Sequence, residues 1–397
     1  MARVRLARQL SALGARIATL GAIAIATTAP SARAEGIVAR AASEVAAYSD
    51  TDHVAVLTPS ITGHVASPTA GWSVDGSYLV DVISAASVDI VSTASQQWTE
   101  VRQAGTLSAT YKPHTLGASV LASVSSEPDY LSYAFGGTAQ ADFDERNVSV
   151  LVGYAYAHDT IGRTGTPFSV FSRTLEKHGV QASVTRVVDR STLFSLALDM
   201  KLERGDPSKP YRYIPMFAPN VAASVPVGAS LQVVTALRSP GRPLEQLPLE
   251  RDRFALTAKL ARRFRRSTAR VEARVYGDSW SLIGFTADGR YLVDLGRRFM
   301  IGPHARYYVQ SAVSFWKLAY ASDGTSVPAL RTGDRELGPL MNLTGGGLAR
   351  YAFGSMRDPD AWTLGADVDV TYTGFFDDLY ITKRLASLVS LSVEARW

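Results

Sequence analysis

Apolar and polar residues alternate at every second position over long stretches of this chain. In residues 71–83 the even positions are apolar or small and most odd positions are polar, and a similar alternation covers 101–112, 192–203, 267–278 and 362–372. Successive side chains of a β-strand point to opposite faces. Each stretch therefore predicts a strand with one apolar and one polar face.

Eleven further segments carry this pattern and bring the predicted number of strands to sixteen, give or take two. They fall at about 114–125, 130–141, 147–158, 174–187, 219–226, 228–237, 252–264, 289–297, 299–312, 338–353 and 385–397. Most are longer than the ~5–6 residues of a globular strand. A tilted membrane-spanning strand needs about 9–11 residues, so the lengths favour strands that cross a membrane.

The predicted connections alternate between short turns and long loops. Tight turns lie at 112–114, 189–191 and 265–266. The long loops are predicted at 84–99, 159–173, 204–218, 238–251, 313–337 and 375–384. Short periplasmic turns and long extracellular loops are typical of an outer-membrane barrel.

The direction of the apolar face separates a membrane barrel from a soluble β-sandwich. Small residues mix freely into this face, which lipid contact permits and a close-packed core does not favour. Aromatic residues on it lie near strand ends, as in interfacial girdles: Trp72, Tyr111, Phe254, Phe264, Phe299, Tyr307, Trp362, Tyr372 and Trp397. We predict an all-β, transmembrane antiparallel β-barrel over 71–397; the sandwich is the alternative.

The two ends of the chain carry targeting features. Residues 1–34 have an arginine-rich start, an apolar run and an A-x-A site before Glu35, which predicts a Sec-type signal peptide cleaved near Ala34-Glu35. The predicted location is the outer membrane of a Gram-negative bacterium. Residues 35–70 are interpreted as a periplasmic or lumenal segment, because a seventeenth strand would break the even strand count.

The last strand ends on an aromatic residue that is in phase with its apolar face. Val389, Leu391, Val393 and Ala395 alternate up to Trp397. This ending resembles the C-terminal signal by which outer-membrane proteins are recognised for barrel insertion. The resemblance implies the barrel-assembly machinery as a partner, in addition to membrane lipid.

Charge and cysteine content exclude several classes of partner. Five of the 41 basic residues and no acidic residue lie in the signal segment, which leaves 41 − 5 = 36 basic against 36 acidic residues. A nucleic-acid partner therefore has no support. The chain has no Cys, which excludes disulfides and thiolate metal sites. We expect no metal and no cofactor.

Charged residues on the polar faces form two predicted walls of the lumen. The basic wall comprises Arg253, Lys259, Arg263, Arg270, Arg274, Arg290 and Arg306. The acidic wall comprises Asp75, Asp81, Asp367, Asp369 and Glu394. Across a water-filled lumen, segregated walls produce a transverse field that orients and selects small polar solutes. The alternative is a salt-bridge network that fills a closed lumen.

Candidate chemistry elsewhere is weak. No spacing of the six His and the many Ser residues singles out a nucleophile with its base, so no catalytic residue is predicted. Gly345-Gly346-Gly347 lies within a strand, where a kink or a close approach is the better interpretation than a phosphate loop. A cation site at loop 84–99, formed by Asp81 before the loop and Asp89 within it, is an alternative, but a structural loop at the mouth is favoured.

Several phrases resemble an uncharacterised, domain-of-unknown-function family of bacterial outer-membrane barrels. They are YLVDVISAASVDIVSTAS (78–95), KPYRYI (209–214), the stretch 249–253, VYGDSWSLIGFTADG (275–289) and ARYYVQSAVSFW (305–316). The resemblance spans roughly 72–397 and implies secretion and an outer-membrane location. It implies no activity and no catalytic residue. Family members often have Asn-Pro-Tyr-Arg where this chain has Lys209-Pro210-Tyr211-Arg212.

Three classes of function follow from these features. The first is a passive channel for small hydrophilic solutes. The second is a closed structural or surface-binding barrel without conduction. The third, a barrel enzyme, has the least support, and we predict that the protein is not an enzyme.

Overall fold

A computed structural model describes residues 36–85, 98–356 and 362–396, and its dominant element is a closed barrel of sixteen antiparallel strands. Strands are numbered in chain order, and those of the wall are β1 (Val38–Asp50), β2 (Val54–Ser67), β3 (Trp72–Ala85), β4 (Trp98–Tyr111), β5 (Leu116–Glu127), β6 (Tyr130–Phe143), β7 (Val148–Ile161), β8 (Arg173–Asp189), β9 (Thr192–Gly205), β11 (Glu250–Arg263), β12 (Ser267–Asp278), β13 (Ile283–Leu295), β14 (Phe299–Gln310), β16 (Leu340–Ala352), β17 (Thr363–Phe375) and β18 (Lys383–Arg396). The two-residue strands β10 (Met216–Phe217) and β15 (Tyr320–Ala321) pair in parallel outside the wall. The predicted fold class is confirmed.

The apolar faces of the wall strands point outward. Leu107, Val271 and Leu391 occupy apolar positions of the predicted strands, and their side chains are 59%, 53% and 63% exposed. A soluble sandwich would bury such residues. Their exposure therefore excludes the sandwich and indicates a barrel whose outer face contacts lipid. None of the helices in the described ranges is long and apolar enough to span a membrane.

The N-terminal part of the barrel corrects the sequence interpretation. Residues 35–70 were expected inside the lumen or at its rim, but β1 and β2 are wall strands, and β1 closes the barrel by pairing with β18. The outer face of β1 consists mostly of Ala and Ser, including Ala39, Ala41 and Ser43. Small residues give little contrast in hydropathy, so the alternation in β1 is weak and the strand was missed.

Two predicted strands, 219–226 and 228–237, are wrong. The region contains helices α1 (Pro219–Ala222) and α2 (Leu231–Leu237) within one long loop. The Ser230 side chain accepts a hydrogen bond from the Val233 backbone N–H, which caps the N-terminus of α2. The strand count of sixteen was right because these two errors offset the two missed strands.

All wall strands alternate in direction, so each connection lies at one of two ends. At the end where β1 begins and β18 stops, the connections include 68–71, 144–147 and 264–266; we call it the turn end. The other end carries the loops 162–172, 206–249 and 311–339, and we call it the loop end. The predicted asymmetry is confirmed, except that loops 204–218 and 238–251 are parts of a single loop.

Some predictions fall outside the described residues. These are the signal peptide at 1–34, most of loop 84–99 with Asp89, and the terminal Trp397. Val389, Leu391, Val393 and Ala395 lie on the outer face of β18, where the first three are accessible and Ala395 is buried. Their role in assembly stays a prediction.

Candidate functional site

The strand register places every residue of the two predicted walls on the lumenal face. Lys259 pairs with Glu272 and Arg274 pairs with Thr257 across β11 and β12, while Val271 and Leu260 share the outer face. The same parity holds around the barrel for the other members of the basic wall and for the acidic wall. The lumen is therefore lined by charged side chains from both sets.

Most of the basic wall is neutralised by carboxylates one or two strands away in the sheet. Four of its seven members form ion pairs: Arg253 with Glu203 (2.7 Å), Lys259 with Glu272 (3.1 Å), Arg274 with Asp199 (3.4 Å) and Arg263 with Asp294. Arg253 and Lys259 pair with carboxylates on adjacent strands, whereas Arg274 and Arg263 each reach across one intervening strand. These four charges contribute little to a field across the lumen, because each is compensated locally.

The acidic wall is also paired. Each carboxylate contacts a cationic or imidazole side chain: Asp75 with His64 (2.6 Å), Asp81 with Arg102 (3.5 Å), Asp367 with Arg350 (2.6 Å), Asp369 with His304 (2.9 Å) and Glu394 with Arg396 (2.6 Å). Where a sector of unpaired carboxylates was expected, each carboxylate thus contacts a nearby basic or imidazole side chain. Segregation of charge is weaker than the sequence indicates.

Arg270, Arg290 and Arg306 differ from the rest of the basic wall. All three are exposed on the lumenal faces of the adjacent strands β12, β13 and β14. Within the described residues, none of them forms an ion pair with a carboxylate, and Arg270 lies directly opposite Arg290 in the sheet. Asp288 lies opposite Arg306 but is hydrogen-bonded to His304, so these three guanidinium groups are the part of the basic wall that no ion pair compensates.

His304 joins three wall strands through its imidazole ring. Its Nε2 atom lies 2.9 Å from Asp288 Oδ2 on β13, and its Nδ1 atom lies 2.9 Å from Asp369 Oδ1 on β17. To reach Asp369 the ring crosses β16 at Gly346, where a Cβ atom would come within 2.1 Å of Asp369 Oδ1 and 2.2 Å of the Val368 carbonyl oxygen. The structure shows the close approach expected within the Gly345–Gly347 run.

Replacing Gly346 by alanine should destabilise the barrel. The new methyl group meets backbone of β17 as well as the Asp369 side chain, so the strands must shift, at a cost of about 1–3 kcal/mol or more. Gly345→Ala is the matched control, because a Cβ at Gly345 meets nothing within 4 Å. The temperature at which the folded band disappears on a heat-modifiability gel should fall for Gly346→Ala only; equal temperatures for both variants would contradict the argument.

Two long loops, 206–249 and 311–339, fold together over the loop end, and we call them the cap. Arg212 Nη1 lies 3.1 Å from Glu245 Oε1 and 2.9 Å from Asp334 Oδ2, which links the two loops. The Thr332 hydroxyl donates to Glu245 Oε1 (2.7 Å), and the Lys209 backbone N–H donates to Glu245 Oε2 (3.0 Å). The Glu245 side chain is fully buried, so this network forms a polar core of the cap.

The cap is attached at several points around the loop end. Its contacts with the wall strands and their connections include Arg335 with Asp52 (3.0 Å), the Tyr211 hydroxyl donating to Asp129 (2.6 Å), Asp206 with Arg173 (3.0 Å) and Trp316 Nε1 donating to the Asp377 carbonyl (3.1 Å). An apolar cluster of Leu247, Trp280, Leu282, Val313 and Leu337 adds a further attachment. The wall side of these contacts extends from the β1–β2 turn to the β17–β18 loop. The cap is thus a docked, structured lid over the mouth.

A cavity of about 620 Å³ lies between the cap and the loop-end edges of β3 to β7. Its lining is mostly aromatic and apolar, with Tyr130, Tyr211, Trp316 and Tyr380 among the members. One side of the cavity carries the carboxylates of Glu100, Glu127 and Asp129. One oxygen atom of each lies within 4.8 Å of the others, so within the described residues this group could hold a metal ion. Tyr211 donates to Asp129 and Arg102 lies 3.8 Å from Glu127, so protein groups already engage two of the three.

Comparison with protein-family models shows to which family this chain belongs. Residues 59–358 match the model of DUF3570, described as a protein of unknown function. The chain belongs to the DUF3570 family. The match begins within β2 and so includes most of the wall and both cap loops, in agreement with the resemblance noted in the sequence. Among curated proteins, none matches the sequence.

Solved structures similar to this DUF3570 member include several outer-membrane proteins. OccK5 (OpdH) of Pseudomonas aeruginosa shares 10% identity, with a TM-score of 0.41 and coverage of 91% of this chain and 99% of that one. A bacterial polysaccharide outer membrane secretin shares 7%, with a TM-score of 0.45 and coverage of 91% and 98%. A mutant of the TodX monoaromatic hydrocarbon channel shares 10%, with a TM-score of 0.41 and coverage of 92% and 91%. The activities of these proteins are not transferred to this chain.

Sequence reasoning missed the cap and the carboxylate cluster. Glu100, Glu127 and Asp129 lie at strand ends and in a turn, where single acidic residues are common and no spacing marks them as a group. The signal that was present is the KPYRYI phrase at 209–214, because Arg212 and Tyr211 make the central contacts of the cap. The phrase was noted as a family feature without a structural role.

Two titratable groups in the cap, Asp334 and Tyr320, make its stability depend on pH. Burial alone would raise the pKa of Asp334, but the charge and hydrogen bond of Arg212 hold that pKa below its usual value. Burial raises the pKa of Tyr320 to about 12. Asp334 therefore stabilises the docked cap above about pH 4 and loses this effect as pH falls. Tyr320 stabilises it below about pH 10 and loses this effect as pH rises toward 12.

We therefore expect the contributions of Asp334 and Tyr320 to protection of the cap to be constant from about pH 4 to about pH 10 and to fall outside that range. Quenching of tryptophan fluorescence by acrylamide, which reports Trp316 at the cap, measures this protection. The Trp316→Phe variant identifies the contribution of that residue. Protection that does not fall below about pH 4 would contradict the role of Asp334, and protection that does not fall above about pH 10 would contradict the role of Tyr320.

Proposed function

We propose that this protein is an outer-membrane channel for small hydrophilic solutes, with a preference for anions and with a cap that closes its loop end. The apolar outer face supports insertion in a membrane, and the asymmetry of turns and loops supports an outer-membrane barrel with the turn end in the periplasm. The predicted signal peptide supports the same location.

The observation that carries the anion preference is the set of three lumenal arginines without carboxylate partners, Arg270, Arg290 and Arg306. The other four residues of the basic wall form ion pairs with carboxylates, so within that wall this set is the main source of positive field. Fixed positive charge in a water-filled passage raises the local concentration of anions. A cavity of about 830 Å³ bordered by Ser108, Thr138, Lys201 and Arg274 supports a hydrated lumen beneath the cap.

The cap favours a second candidate, a closed barrel without conduction. Its loops dock on side chains near the mouth, where the guanidinium of Arg335 lies 5.5 Å from the ring centre of Phe375. A barrel that stays capped would serve as a structural or surface-binding protein. The two candidates differ in one respect, which is whether the lumen carries current when the cap is released.

Planar-bilayer recording of the full chain separates these candidates. We expect a current through wild type or through a cap-released variant such as Arg212→Met, with a reversal potential in a KCl gradient that indicates anion preference. Replacing Arg270, Arg290 and Arg306 together by glutamine should shift that potential toward cations. The triple variant Arg146→Gln, Arg238→Gln, Arg242→Gln removes the same charge elsewhere and should not. Absence of current in both wild type and Arg212→Met would favour the closed barrel.

A further inference from the structure

Seven exposed arginines lie at the turn end on one side of the barrel, and we call them the arginine rim. They belong to β8, β11 and the turns 190–191, 264–266 and 296–298: Arg186, Arg190, Arg262, Arg265, Arg266, Arg297 and Arg298. Their strands are neighbours in the wall, from β8 through β14. None of them belongs to the lumenal walls described above.

Backbone hydrogen bonds hold the turns of the rim side by side. The Arg263 N–H donates to the Ser191 carbonyl (2.7 Å), the Asp294 N–H donates to the Arg266 carbonyl (2.8 Å), and the Ala352 N–H donates to the Arg298 carbonyl (2.8 Å). The turn after β8 therefore touches β11, and the turn after β11 touches β13. The arginines form a continuous surface and not a scatter of separate charges.

Within the described residues, none of the seven arginines of the rim forms an ion pair. The acidic residues at the same ends of β8 and β13 have closer partners: Asp294 pairs with Arg263, and Asp189, which lies near Arg262, accepts from Ser191. The adjoining part of the turn end is different. Lys112 pairs with Asp142 (2.7 Å), and turn 144–147, which is bound to β8 by the hydrogen bond from the Val187 N–H to the Asn147 carbonyl (2.8 Å), carries two acidic residues and one arginine. The run of arginines thus ends at β8 on this side.

Two of the rim arginines, Arg186 and Arg262, lie on the lipid-facing side of the wall. Arg186 pairs in register with Phe194, whose neighbour Leu260 also lies on the apolar face. Arg262 follows Leu260 on that face, and its guanidinium lies 5.7 Å from the ring centre of Phe264. Charge on the lipid face is tolerated at the membrane boundary, where it meets headgroups, and not at the bilayer midplane. These two residues place the rim at headgroup level.

We propose that the arginine rim binds the phosphate headgroups of anionic phospholipids in the leaflet at the turn end. Guanidinium groups bind phosphate oxygens through two parallel hydrogen bonds, and an anionic membrane surface attracts clustered basic residues. Exposed Phe194, Phe264 and Phe299 beside the rim contact the acyl-chain boundary of the same lipids. A soluble acidic partner would explain the charge but not arginines on the lipid-facing side.

Native mass spectrometry of the purified full chain in detergent, titrated with phosphatidylglycerol or phosphatidylcholine, tests this proposal. Wild type should bind phosphatidylglycerol at least about tenfold more tightly. The variant Arg262→Gln, Arg265→Gln, Arg266→Gln should weaken phosphatidylglycerol binding by about 10- to 100-fold and leave phosphatidylcholine unchanged. The control triple Arg163→Gln, Arg238→Gln, Arg242→Gln removes three charges at the loop end and should bind like wild type. A heat-modifiability gel verifies folding of each variant.

Several outcomes would overturn the proposal. They are equal affinity of wild type for the two lipids, unchanged phosphatidylglycerol binding after the rim substitutions, or equal loss in the control triple. If the rim variant instead shifts the reversal potential while lipid binding is unchanged, the arginines attract solute anions and not lipid. Should the rim variant fail to fold, the preference of wild type for phosphatidylglycerol and its decrease at high salt decide the question alone.

Discussion

Replacing Arg212 by methionine should release the cap while leaving the barrel folded. Arg212 is the cation shared by Glu245 and Asp334, which belong to different cap loops. Burial alone would lower the pKa of Arg212, but Asp334 and Glu245 raise it, so the guanidinium stays charged. Methionine fills a similar volume without the charge. It leaves a fully buried carboxylate without its cationic partner, at a cost of about 3–5 kcal/mol.

Limited proteolysis of the full chain in detergent measures cap release. We expect cleavage within 206–249 and 311–339 to accelerate at least tenfold, roughly the effect of 1.4 kcal/mol, while the sixteen-stranded barrel fragment keeps its heat-modifiable migration. Arg242→Met is the matched control, since Arg242 is an exposed arginine of the same loop. A cap that remains as resistant in Arg212→Met as in wild type would show that its apolar contacts suffice without the ion network.

Replacing Asp278 by alanine should detach the cap from its other anchor. The Asp278 side chain is fully buried, and its Oδ1 atom accepts from the Trp280 and Leu282 backbone N–H groups, both at 3.0 Å. Its Oδ2 atom accepts from Tyr276 (2.9 Å) and from Arg251 Nε (2.8 Å). The Arg251 guanidinium in turn lies 4.2 Å from the Trp280 ring centre. Alanine leaves all these donors without an acceptor and leaves the nearly buried Arg251 without its carboxylate. The loss should lower the stability of the fold by about 3–5 kcal/mol.

The effect should appear first in the apolar cluster that Trp280 shares with Leu247 and Val313. Tryptophan emission should shift to longer wavelength, and proteolysis of 311–339 should accelerate. Asp278→Asn keeps an oxygen acceptor for the turn but loses the charge, so its effect should be intermediate. The measurement contradicts this account if Asp278→Ala and wild type show the same emission and the same cleavage rate.

Period-two alternation was enough to predict the barrel because both faces of a membrane barrel wall have uniform chemistry. The rule placed Arg270, Asp367 and Leu391 on their observed faces without any knowledge of neighbours. It failed where the contrast was low, as in the Ala- and Ser-rich β1, and where apolar residues formed a short helix after Ser230. The number of strands was therefore right, although two of the sixteen predicted segments were wrong.

The sequence by itself determined fourteen of the sixteen wall strands, the orientation of their side chains and the asymmetry of the two ends, since these depend on local periodicity and loop length. Tertiary structure decided which charges are compensated, because an ion pair such as Arg253–Glu203 depends on which strands are adjacent. It also decided the cap, whose contacts, such as Arg335 with Asp52, join residues far apart in the chain. Side-chain chemistry that arises from long-range contact has no periodic signal, so the lone lumenal arginines, the capped mouth and the arginine rim appear only when the barrel closes.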